Sequence, residues 1–177
     1  CIPAAVFGLL LNDYMERFEN WQVVSATLII YGIAFLAVEN LRKKEKVTSV
    51  SEMSYKTAIL VGLFQVLSII PGTSRSGSTI LGGIMMGLSR EASAEFSFFL
   101  AIPIMFGVSF LKIITYEGII TGTDIAVLIT AMVVAYAVSL ASIKFLVDFV
   151  KKHDFKPFGW YRMALGAAVI LYFTLIK

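Results

Sequence analysis

Apolar residues run through this chain in long unbroken blocks, and polar residues gather in short stretches between them. Four blocks, at 21–38, 96–114, 125–143 and 158–176, each hold 18 or 19 residues with few charges. A helix needs about 20 such residues to cross ~30 Å of hydrocarbon, so each block predicts a membrane span. The spans are placed at 21–39, 95–114, 124–146 and 158–176. A shorter apolar stretch over 1–11 cannot cross and is read as the outer end of a partial helix. Pro103 and Gly107 predict a kink in the block that holds them, which neighbouring helices tolerate in a membrane. The predicted fold is an all-α integral membrane bundle, one domain over 1–177.

The region 57–88 breaks this pattern, because Pro71-Gly72-Thr73-Ser74-Arg75-Ser76-Gly77 interrupts its apolar run with helix-breaking chemistry. At 1.5 Å per residue, the arms 57–70 and 77–88 reach about 21 Å and about 18 Å. Neither crosses the bilayer untilted, so the pattern predicts a re-entrant helix-loop-helix hairpin. The second arm is expected to begin at about Gly77.

Composition agrees with lipid as the solvent. The 177 residues are 58% hydrophobic and 15% charged, against about 25% charged in soluble domains, and mean hydropathy is +0.85. One Cys and one His exclude an internal disulfide framework and a Cys/His zinc cluster. A net charge of +3, scattered along the chain, does not suit a nucleic-acid binder. The chain opens on Cys1 and runs at once into apolar residues, so it is expected to be N-terminally truncated.

Charge placement orients the spans, since Lys and Arg accumulate in short cytoplasmic loops. The connection 42–56 carries five basic residues and 151–156 carries three. The connection 12–20 has one Arg against three acids, and 113–124 has no Lys or Arg. A single crossing at 57–88 would put the two basic connections on opposite sides. A hairpin that enters and leaves by one face puts both in the cytoplasm. Trp21 and Trp160 lie near span ends, as interfacial aromatics should.

Backbone without helical bonding at membrane depth requires protein packing or a wet cavity around it, so the hairpin tip implies a site. Gly72 and Gly77 permit tight turns and close approach, and Ser74, Ser76, Ser78 and Thr79 bring hydroxyls. The second arm starts with free N–H groups and the positive end of its dipole. Arg75 adds a planar charged fork that matches phosphate oxygens. Together these point to a phosphate or pyrophosphate cradle, with Thr73 in the same turn. Gln65, inside the first arm, is a candidate supporting group, because a buried amide must find partners. A purely structural reading has Arg75 and the serines capping the broken helix. The cost of an Arg at that depth favours function. The arm length puts the tip nearer the outer side, so the anion is expected to reach Arg75 from outside.

The sequence Pro71-Gly72-Thr73-Ser74-Arg75-Ser76-Gly77-Ser78-Thr79-Ile80 resembles a signature of the bacterial undecaprenyl-diphosphate phosphatases, also called bacitracin-resistance proteins. The resemblance continues through 82–90 and 94–98, with Pro103 following, and extends over the whole chain. It implies removal of the terminal phosphate from a polyprenyl diphosphate lipid at the outer face of the bacterial cytoplasmic membrane, recycling the carrier for cell-wall synthesis. It also implies that Arg75, Ser74 and Ser76 act catalytically, while Gly72, Thr73, Gly77, Ser78 and Thr79 bind substrate, with Gln65 expected beside them on the strength of its buried amide. Members of the family carry an earlier inverted hairpin with a Glu-rich motif, a Ser pair and a His. This chain has none, so the resemblance makes it the C-terminal half of an inverted-repeat fold. A divalent cation, Mg or Ca, is implied as cofactor, its ligands expected upstream of Cys1. His153 matches no motif and is not assigned a catalytic role.

A transporter or flippase for a phosphorylated lipid or other anion is the alternative, because broken helices aimed at anionic groups are transporter architecture. Self-association into a homo-oligomer is left open. Glu39 is expected to pair with Arg42 or Lys43 one turn on. Glu95 is expected to anchor the hairpin through Arg90 or a backbone donor. Gly83 and Gly87 are expected to form a packing face, and Lys112 and Arg162 to snorkel to opposite interfaces. Phe98 and Phe99 are read as lipid-facing or core residues, with no path assigned to a prenyl chain.

Overall fold

The computed structural model describes residues 1–16, 18–41, 45–118 and 121–175. Among them the chain forms seven α-helices: α1 (Ile2–Glu16), α2 (Trp21–Asn40), α3 (Tyr55–Val66), α4 (Arg75–Met85), α5 (Arg90–Ile114), α6 (Gly122–Lys152) and α7 (Lys156–Leu175). No strand occurs among the described residues. Four helices, α2, α5, α6 and α7, are long and apolar enough to cross a membrane. Helix α5 runs through Pro103 without a break. Helix α6 starts at a capping box between Thr121 and Asp124. Its 31 residues extend about 46 Å, beyond the hydrocarbon thickness and out to Lys151 and Lys152.

Helices α2 and α7 are antiparallel and touch along their whole length. Trp21 stacks on Phe173 at one end, ring centroids 5.3 Å apart. In the middle the backbones come close enough that a Cβ on Gly159 would lie 2.9 Å from the Gly32 carbonyl, and one on Gly166 would lie 3.0 Å from that of Ser25. Small residues permit such approach, and dispersion between close backbones holds helices together where lipid offers no hydrophobic drive. At the other end the buried Glu39 carboxylate accepts two hydrogen bonds from the Arg90 guanidinium, at 3.0 and 2.7 Å, and one from the Phe155 N–H at 3.1 Å. One carboxylate thus joins the C-terminus of α2 to the N-termini of α5 and α7. The predicted local partners of Glu39, Arg42 and Lys43, lie outside the described residues.

The region 57–88 does form a hairpin. Helix α3, capped by Ser54, tightens into a 3-10 turn at Leu67–Ile69 and stops before Pro71. Helix α4 then runs back alongside it, close enough that a Cβ on Gly82 would strike the Phe64 ring. Residues flanking the two arms meet: the N–H groups of Lys46 and Val47 donate to the Gly87 carbonyl, and Ser89 N–H donates to that of Val47. The chain therefore leaves the hairpin where it came in. Gly87 has φ +92, a left-handed turn that ends α4, which corrects its reading as part of a packing face. Gly83 does pack, against Ser93 of α5. Every residue from Gly77 to Ile84 is buried, so α4 is a protein-enclosed rod with α2, α3 and α5 around it. Such enclosure is what broken backbone requires in lipid.

Candidate functional site

The hairpin tip is pinned from both sides of the α2–α7 pair. Thr27 of α2 donates to the Pro71 carbonyl at 2.9 Å, and Arg162 of α7 donates through Nη2 to the Gly72 carbonyl at 3.0 Å. Gly72 has φ +82, and a Cβ there would collide with the Thr27 hydroxyl and the Val24 backbone. Thr27 lies six residues after Trp21 and twelve before Glu39. At 1.5 Å per residue the tip is thus about 9 Å from one end of α2 and about 18 Å from the end that carries Glu39.

Helix α4 begins at Arg75, two residues earlier than its spacing suggested. The cause is Ser74, whose hydroxyl accepts from the Gly77 N–H at 3.1 Å and caps the helix. The Ser78 N–H bonds the Ser74 carbonyl, while the amides of Arg75 and Ser76 have no partner among the described residues. Ser74 and Ser76 hydroxyls lie 3.2 Å apart. With Gly77, Ser97, Tyr161 and Arg162 they supply the polar lining of a cavity of about 220 Å³. Phe35, Ile80, Phe155 and Phe158 supply apolar walls.

Arg162 corrects the snorkelling expectation. Its guanidinium turns inward over the Tyr31 ring, 5.6 Å from the centroid, and its buried Nε has no partner among the described residues. A lone Arg within an apolar span is a functional signal in itself, and that signal in the 158–176 block could have identified it.

Ser78 and Thr79, expected among the substrate-binding hydroxyls, are each 1% exposed. Ser78 donates to the Tyr31 hydroxyl at 3.1 Å, and Thr79 donates to the Ser97 hydroxyl of α5 at 2.6 Å. Positions 78 and 79 are covered by Tyr31 of α2 and Ser97 of α5, while 74 and 76, at the start of the helix, line the cavity. Their hydroxyls brace the hairpin and are spent on protein partners. Gln65 and Thr73 are also outside the cavity wall, and the buried Gln65 Oε1 and Thr73 Oγ1 have no partner among the described residues. Arg75, at the first position of α4, is partly exposed; its carbonyl accepts from the Thr79 hydroxyl at 3.2 Å, and its guanidinium has no hydrogen bond or ion pair with a described residue. Glu95 does not anchor the hairpin, because Arg90 is engaged by Glu39 and Glu95 faces a groove between α5 and α6.

The Arg162 guanidinium, the Ser74 and Ser76 hydroxyls and free helix-end amides form a donor-rich, cationic surface suited to phosphate oxygens, and Arg75, which does not line the cavity, lies between the two serines at the start of α4. The same set does not fit a divalent cation. No carboxylate or imidazole lines the cavity, and no three His, Cys, Asp or Glu residues converge among the described residues.

The model of the family described as bacitracin resistance protein BacA matches residues 1–168. This chain belongs to that family. Similar relatives include the undecaprenyl-diphosphatases of Lactiplantibacillus plantarum, 52% identical over 99% of this chain, and of Acetivibrio thermocellus, 50% identical over 99%. That of Streptococcus thermophilus is 55% identical over 97%. The chain spans 66%, 66% and 62% of the lengths of these three proteins. Like its family, the chain is a multi-pass membrane protein, with four helices that can span. The matched residues include Pro71 and Gly72, the hairpin tip that Thr27 and Arg162 hold in place.

Proposed function

We propose that this member of the bacitracin resistance protein family is an undecaprenyl-diphosphatase, and that its hairpin tip holds the diphosphate. The carrying observation is the convergence of Ser74, Ser76, Gly77 and Arg162 on one cavity next to Arg75. In the reaction an oxygen nucleophile attacks the terminal phosphorus, the bridging P–O bond breaks, and undecaprenyl phosphate leaves. Charge builds on the equatorial and bridging oxygens, and preorganised guanidinium, hydroxyl and amide donors stabilise it without reorganisation. Arg75 is assigned to the terminal phosphoryl group, and Ser74, Ser76 and Arg162 to the remaining oxygens. The nucleophile, the acid/base groups and any ligands to a divalent cation are assigned to the third of the relatives' length that this chain does not span.

The protein is placed in the bacterial cytoplasmic membrane, with the connections that contain Lys46, Lys56 and Lys151 inside and the site open to the outside. In support, those connections share the end of the bundle at which Glu39 meets Arg90 and Phe155. The tip, about 18 Å from that end, is nearer the opposite one, and the cavity extends from the tip back toward Phe35 and Phe155.

Arg75→Ala in the full-length protein tests the assignment by phosphate release from undecaprenyl diphosphate in detergent. A loss of about hundredfold or more in kcat is expected, the size found when one preorganised donor to a developing oxyanion is removed. Near-normal release would exclude the role of Arg75. Lipid binding without turnover by the unmodified protein would favour a carrier instead.

A further inference from the structure

The polar cavity shares two of its walls with a second one. Ala94 and Phe98 of α5 also border a groove of about 340 Å³ on the other side of the α5–α6 contact. The α6 wall of the groove is Ile143, Val147 and Val150, while Leu146, between them, lines the polar cavity. Positions 94, 98 and 102 on α5, and 143, 147 and 150 on α6, recur every three or four residues. Each helix therefore gives one stripe, and the groove runs along the pair for about 12 Å between Ala94 and Ile102. One end is charged: Glu91 pairs with Lys151 at 3.1 Å, and Glu95 follows one turn later. From Phe98 onward the walls offer neither donor nor acceptor side chains.

We infer that this groove receives the first isoprene units of the polyprenyl chain, which leaves the polar cavity between α5 and α6 across a sill of Ala94 and Phe98. The inference rests on the phosphatase reading above. Such a substrate joins an anionic head to a long hydrocarbon through a single ester oxygen. A cavity that encloses the head must therefore have an apolar exit only a few atoms away. The groove meets that demand: it abuts the head cavity and excludes phosphate by its walls. It also leads toward the exposed faces of Phe99 and Ile102, where the remaining chain can enter lipid.

Val147→Trp in the full-length protein fills the groove. The ratio of kcat/KM for undecaprenyl diphosphate to that for dimethylallyl diphosphate should fall by about tenfold or more, chiefly through KM, as apolar pockets discriminate on that scale. Val134→Trp, on the exposed face of α6 away from the groove, should leave the ratio unchanged. A benzophenone amino acid at position 143 provides a second measurement should the Trp variant fail to fold. It should crosslink to labelled undecaprenyl diphosphate on irradiation, competed by unlabelled lipid diphosphate, whereas the same group at position 134 should not. An unchanged ratio in folded Val147→Trp, or equal crosslinking at both positions, would overturn the groove assignment. Absence of phosphate release from either substrate by the wild type would overturn the phosphatase reading, and the crosslink at position 143 would still decide the groove.

Discussion

Removing one partner from the Glu39–Arg90 pair should weaken the bundle unequally, depending on which partner goes. The Glu39 side chain is 1% exposed and that of Arg90 is 29% exposed. Arg90→Ala takes the guanidinium away from an almost fully buried carboxylate, a change that costs about 3–5 kcal/mol. Glu39→Ala leaves a cation that can turn toward water, so the charge penalty is smaller and is discounted for screening. It also orphans the buried Phe155 N–H, at about 1–3 kcal/mol, which brings the expected loss to about 3 kcal/mol. Arg90→Lys keeps the charge and loses the second donor, at about 1–2 kcal/mol. The double variant Glu39→Met/Arg90→Met removes both charges and should recover a large part of the Arg90→Ala loss. Thermal denaturation of the detergent-solubilised protein reads these differences. At 2–4 °C per kcal/mol for a chain of this size, Arg90→Ala should lower Tm by roughly 10 °C. Were Arg90→Ala milder than Glu39→Ala, or the double variant equal to the sum of its single substitutions, the carboxylate would not be the clasp described.

The two left-handed glycines should respond differently to Ala. At Gly87 the new Cβ meets only Lys46 side-chain carbons at 3.6 Å, so the cost is backbone strain of about 1–2 kcal/mol. At Gly72 the same strain adds to a collision with α2, so Gly72→Ala should lower Tm much further and suppress phosphate release, and equal Tm shifts would show that the tip is not wedged against Thr27 and Val24. Thr79→Val breaks a buried hydroxyl pair and should cost about 1–2 kcal/mol in stability, while the folded fraction keeps its KM. A raised KM would return Thr79 to the substrate site. Arg162→Met removes a charge-assisted bond to the Gly72 carbonyl and a donor facing the cavity, so kcat/KM should drop about 10–100-fold with Tm lowered as well. Unchanged kinetics would remove Arg162 from the site.

Local chemistry alone determined much of this protein. In lipid each spanning segment must satisfy its own backbone, so span number and rough position follow from the length and apolarity of each block, without knowledge of its neighbours. The hairpin was legible for the same reason, since Pro71 and Gly72 break any helix and the arms on either side are too short to cross. The concentration of Ser, Arg and Gly at the tip likewise raised the expectation of anion chemistry before any contact was known.

Only the tertiary structure decided which of those side chains faces the cavity. Ser74 and Thr79 are five residues apart, yet one opens on the cavity and the other is sealed against Ser97, because the helices packed around α4 determine which of its faces are covered. Arg162 reaches a carbonyl 90 positions away, and Glu39 bonds Arg90, 51 positions away. Such partners depend on how α2, α5 and α7 stand around the hairpin. Burial makes the pairings obligatory, since a carboxylate or guanidinium enclosed by apolar helices must be matched wherever the chain brings a partner within reach.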